Sequence, residues 1–141
     1  MGKERGTEQP AEIVREYGPF PGASHVHGVS FDGKLVWFAG GERLQAFEPA
    51  SARILRTIES NRFVTGVTWV DGELWHGTWE GDDADIRQVD PATGEVRTRL
   101  TMPAGTGVSG LESDRGDLFY AGGGGSGRIR AVRRPRRRPA R

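Results

Sequence analysis

No cysteine occurs among the 141 residues. Its absence excludes a disulfide framework and any thiolate-bound metal. No stretch approaches the roughly 18 consecutive apolar residues of a spanning helix, so no membrane contact is expected. The N-terminal "MGKERGTEQPAEIV" is charged and lacks the apolar centre of a secretory leader, which points to a cytoplasmic protein. A G-x-S-x-G elbow is also missing, so nucleophilic hydrolysis has no support. The glycine run "AGGGGSG" at 121–127 leads to no Walker lysine and reads as a hairpin loop.

Negative charge is lacking at one end only. The net charge of +1 includes eight arginines between Arg128 and Arg141, which leaves about −7 on the rest. A nucleic-acid arm is one reading of this block. No aromatic is interleaved with it and no nucleic-acid module adjoins it, so it is taken as an Arg-rich tail, disordered over 136–141. Residues 1–11 are likewise expected to be disordered.

Glycine, by contrast, is plentiful: 22 residues with no collagen-like period. Three stretches superpose: "GVSFDGKLVWFAG" from Gly28, "GVTWVDGELWHGT" from Gly66 and "GLESDRGDLFYAG" from Gly110. Each holds a Gly turn (Asp32-Gly33, Asp71-Gly72, Arg115-Gly116), a strong hairpin signal. Nine residues after the leading glycine stands an aromatic: Trp37, Trp75 and Phe119. These three are expected to be buried at equivalent places. A third segment follows, in which Leu44, Ile86 and Ile129 correspond, as do Phe47, Val89 and Val132. Turns "PASA" and "PATG" then lead two units into a fourth strand.

Four short strands at a period near 40 predict an all-β chain of propeller blades. The units fall near 28–60, 66–103 and 110–134. The third lacks its fourth strand, and residues 12–18 echo one, with Ile13 and Arg15 matching Ile54 and Arg56. The N-terminal strand is therefore expected to close the last blade, giving a propeller over 12–135. Propellers typically have four to eight blades. Three leave two outer sheet faces without neighbours, so a homodimer is expected.

The stretch "LWHGTWEGDDADIRQVDPATGEV" (74–96) resembles the blades of bacterial β-propellers of the glutaminyl cyclotransferase-like group. More distantly it is similar to the YVTN, virginiamycin B lyase and gluconolactonase propellers. The resemblance covers 12 to about 135. It implies a ring around a channel with the site at its mouth and, for cyclotransferases, a glutamate that shuttles a proton. Phe38 stands where that glutamate is expected, and Thr65 in place of a second acid; Trp79 matches a family tryptophan. Phenylalanine transfers no protons.

Departures from the repeat mark the candidate site. His76 aligns with Phe38 and Tyr120, and Trp79 with Gly41 and Gly123. His25 and His27 point to one face of an extended segment, because side chains alternate with period two. The channel mouth is thus assigned His25, His27, His76, Trp79 and Glu80 as ligand-binding residues, with no catalytic residue. No cofactor is expected. The alternatives are Zn²⁺ on His25, His27 and His76, or Ca²⁺ on Glu80, Asp82, Asp83 and Asp85, read as a loop. The expected function is a non-catalytic module for a small-molecule, peptide or protein ligand. The alternative is a glutaminyl-peptide cyclotransferase-like or lyase-like enzyme with a rearranged site.

Overall fold

The structure, a computed structural model, describes residues 6–23 and 25–135. The 136–141 tail and the first five residues lie outside the described residues; residues 6–11 run exposed, with neither strand nor helix. Three antiparallel meanders follow one another. The first sheet is β1 (Val29–Phe31), β2 (Val36–Gly40), β3 (Arg43–Phe47) and β4 (Ile54–Glu59). The second is β5 (Val64–Val70), β6 (Glu73–Glu80), β7 (Asp83–Val89) and β8 (Val96–Thr101). The third has three strands, β9 (Leu111–Ser113), β10 (Leu118–Gly122) and β11 (Ile129–Arg133). Among the described residues no helix is long and apolar enough to cross a membrane.

Turn chemistry explains the meanders. Asp71 and Gly72 both take positive φ (51° and 74°), as a two-residue hairpin turn requires. The Asp32 carboxylate accepts the N–H groups of Lys34 and Leu35. In the β7–β8 turn Asp90 accepts those of Ala92 and Thr93, and Gly94 turns the chain at φ 80°. The β3–β4 turn makes the same backbone closure with Ala52 at φ 64°.

The leading glycines have a packing reason. A Cβ on Gly28 would strike the backbone of Thr65, Gly66 and Val67, and one on Gly66 the backbone of Gly110 and Leu111. The inner strands β1, β5 and β9 thus touch backbone to backbone, as blades do around an axis. Between the first two sheets lie Trp37, Ala39, Leu44, Ala46 and Ile58 against Val67, Leu74 and Val89. Between the second and third lie Trp75, Ala84 and Ile86 against Val108, Phe119 and Ala121.

Two expectations need correction. Trp37, Trp75 and Phe119 are all buried, but they are not equivalent. Trp37 pairs with Ala46 and Trp75 with Gln88, and each faces the next sheet. In the third unit the residue in that register is Tyr120, paired with Ala131, whereas Phe119 takes the place of Val36 and Leu74 and faces back. The cause is the β9–β10 turn, closed from Asp114 N–H to the Leu118 carbonyl with Arg115 at φ 66°. It is one residue longer than the β5–β6 turn, and a one-residue slip exchanges the faces of a strand.

Second, residues 12–18 form no strand and do not join the third sheet. They lie on the outer face of the first, two sheets away. Arg15 and Tyr17 both donate to the Pro49 carbonyl, at 2.8 and 3.0 Å. The Tyr17 ring meets Phe47 at 4.5 Å, and Phe20 stacks on Phe38 at 4.4 Å. An aromatic face with no sheet before it recruits the nearest apolar segment of its own chain.

Candidate functional site

The β2–β3 and β6–β7 turns and the loops into β1, β5 and β9 all lie at one end of the sheets. His25 and His27 are there, two residues apart on extended chain, with ring centroids 5.8 Å apart and nearly parallel. The His27 N–H donates to the Ala39 carbonyl, which anchors the segment as an extension of β1. Its ring meets Phe63, in the loop before β5, at 4.8 Å edge to face. The two histidines are exposed and Phe63 half-buried, so three rings form a row along the inner strands.

Trp79 is half-buried at the end of β6, and its indole N–H donates to the Gly81 carbonyl at 3.0 Å. Its ring fills the space over Gly107 and Gly124, where a Cβ would collide with it. Both glycines are required for that close approach. Glu80 is exposed at the β6–β7 turn, paired with Asp83 across it.

His76 does not join them. It lies on the face of β6 that packs on the first sheet, paired with Val67 and Arg87, and is 2% exposed. Burial pushes its pKa down to about 4, Arg87 nearby pushes the same way, and the Gly77 carbonyl and Asp85 resist. The imidazole is neutral at physiological pH. Among the described residues no group of three His, Asp or Glu is placed to hold a metal ion.

Asp85 is also misplaced by the sequence reading. It is no loop ligand but a fully buried member of β7. Its carboxylate accepts the Thr78 hydroxyl at 2.6 Å and ion pairs with Arg62, Arg87 and Arg99 at 3.2, 2.9 and 3.2 Å. Arg62 comes from the loop joining the first two sheets, so this knot ties the seam between them. A carboxylate engaged by four donors is not a free metal ligand or proton carrier.

The two positions at which the resemblance expects acids are also closed. Phe38 is buried under Phe20, and Thr65 is buried with its hydroxyl unpartnered. Sequence reasoning missed Phe63, which no motif marks, and the role of Arg134. That arginine, read as part of the basic block, is buried and pairs with Asp71 at 2.7 Å and Glu73 at 3.4 Å. It pins the end of the third sheet to a turn of the second. Beside it, at the other end of the second sheet, a polar groove of about 440 Å³ is lined by Glu73, Gln88, Glu95, Arg97 and Thr98.

No family model matches the sequence, and no curated protein does. Solved structures do match by shape. Glutaminyl cyclase of Myxococcus xanthus superposes with a TM-score of 0.60 at 14% identity, over 77% of this chain and 47% of that one. A Bacteroides caccae protein of unknown function gives 0.67 at 17% identity, over 86% and 46%. The Pan2 WD40 domain of Neurospora crassa gives 0.54 at 12%, over 68% and 29%. The chain thus spans less than half of each of these structures. At such identities the likeness is one of fold, and with the stacked meanders it shows an all-β, β-propeller chain.

Proposed function

We propose that this chain is a non-catalytic binding module. It takes a peptide or small ligand with a planar side chain on the ring row of His25, His27 and Phe63, with Trp79 and Glu80 at its side. The observation that carries the reading is that row: three rings at the end of the inner strands, two of them exposed. Aromatic surface so placed offers stacking, which a propeller core does not need from it. The absence of a proton carrier at Phe38 and Thr65 argues in the same direction.

The test uses the purified chain and a set of short peptides with and without an aromatic residue, followed by side-chain NMR shifts. Saturable shifts at His25, His27 and Phe63 with aromatic peptides, lost in His27→Ala, are expected. Peptides beginning with glutamine serve the enzyme alternative. There the α-amine would attack the side-chain amide carbon and release ammonia. No ammonia above the buffer rate is expected; turnover abolished by Glu80→Gln would overturn the non-catalytic reading.

A further inference from the structure

The internal repeat shows what each outer sheet face is built to meet. In the register of the sheets, Tyr120 occupies the place of Trp37 and Trp75, and Ile129 that of Leu44 and Ile86. The first two of each set are buried by the sheet that follows; Tyr120 is 43% and Ile129 75% exposed. Gly110 corresponds to Gly28 and Gly66, yet a Cβ on it would meet nothing within 4 Å. At the other end, Val29 and Phe31 hold the places of Val67 and Trp69, which pack on the preceding sheet. Val29 and Phe31 are 62% and 58% exposed. Each outer face is therefore the complement of the other, and both stand exposed on the same chain.

The segment 12–18 completes the relation. Matching Ile13 to Ile54 puts Tyr17 at the place of Ile58, and Phe47 is at that of Val89. Ile58 and Val89 share the first core cluster, across the seam between two sheets. Tyr17 on Phe47 is the corresponding pair one sheet earlier. The segment thus lies where the outer strand of a preceding sheet belongs. Among the described residues the third sheet has no fourth strand, and β11 is its edge. Ten residues, 19–28, separate the segment from β1; nine, 102–110, separate β8 from β9.

Charge agrees. The segment carries Glu12 and Glu16, with Glu8 ahead of it, and β11 and its flank carry Arg128, Arg130 and Arg133. In the β3–β4 register Gln45 faces Thr57, so the equivalent pair is Arg130 with Glu16. Arg130 Nη1 is buried and has no hydrogen-bond partner among the described residues.

We propose that two copies join head to tail. The Tyr120 and Ile129 face of one stacks on the Val29 and Phe31 face of the other, and residues 12–18 of each add as fourth strand to β11 of its partner. Two such contacts close a ring of six sheets with twofold symmetry.

The experiment is solution mass by light scattering at micromolar concentration, with amide NMR dispersion to confirm folding. The expected mass is twice the 15.4 kDa of one chain. Glu16→Arg alone and Arg130→Glu alone each place like charges in both contacts and should run as single chains. Mixed in equal amounts they restore both opposite-charge pairs and should regain the doubled mass. Ile129→Glu, at an exposed site, should stay folded and single. A folded wild-type chain of single mass overturns the proposal, as does a mixture that fails to pair. A mass beyond two chains overturns the closed ring.

Discussion

Phe119 meets Trp75 with ring centroids 4.9 Å apart, although the two hold different positions in the repeat. Trp75 faces forward from the second sheet and Phe119 backward from the third, so one seam is filled from both sides. Phe119→Ala should therefore cost about 3–5 kcal/mol, the range for a buried aromatic. Tyr120→Ala should cost under about 1 kcal/mol in a single chain, because its ring is partly in water. Urea unfolding of the two variants gives the comparison. Equal losses would refute the contrast between a ring that fills the seam and one that does not.

His76 predicts an acid-sensitive fold. The unfolded chain binds its proton near pH 6.5 and the folded chain only near 4. Between those values the unfolded state holds more protons, so stability falls as pH drops, by about 3 kcal/mol over the window. His76→Phe, the residue at the equivalent place in the first sheet, should flatten the profile between pH 6.5 and 5. An imidazole NMR titration of His76 with a midpoint above 6 would refute this.

The Asp85 knot predicts a large effect at a residue that looks like a surface acid in sequence. Asp85→Asn keeps the Thr78 bond but leaves three guanidiniums together, one of them buried. A loss of about 3–5 kcal/mol is expected. Asp83→Asn, two residues away and exposed, should change stability by no more than about 0.5 kcal/mol. Chemical denaturation of both variants checks the contrast.

Ala52 offers a gain. Its φ of 64° lies where Gly94 stands in the equivalent turn. Left-handed backbone costs an alanine about 1–2 kcal/mol, and glycine adds about 0.5–1 kcal/mol of chain entropy to the unfolded state. Ala52→Gly should therefore stabilise the fold by about 0.5–1 kcal/mol. Thermal unfolding should show a midpoint a few degrees higher; an unchanged or lower one would mean that the turn relaxes elsewhere.

Much of this architecture is legible in the chain. The hairpins at Asp32-Gly33 and Asp71-Gly72 and the turn at 90–95 follow from residues that tolerate or cap those conformations. The third-strand correspondences, Leu44 with Ile86 and Ile129 and Phe47 with Val89 and Val132, match the observed pairing. These are local properties, set by side-chain alternation and turn chemistry within a few residues. His25 and His27 share a face for the same reason.

Tertiary structure decided the rest. One added turn residue sent Phe119 backward and Tyr120 outward, which counting from Gly110 does not reveal. Residues 12–18 have the pattern of a strand, but an uncovered aromatic face at Phe38 and Phe47 held them away from β11. His76 and Asp85 look like site residues until the first sheet closes over them and Arg62 arrives from the joining loop. Burial and charge pairing depend on groups far away in sequence, so polar residues with similar local surroundings become a surface ring at His27 and a neutral buried one at His76.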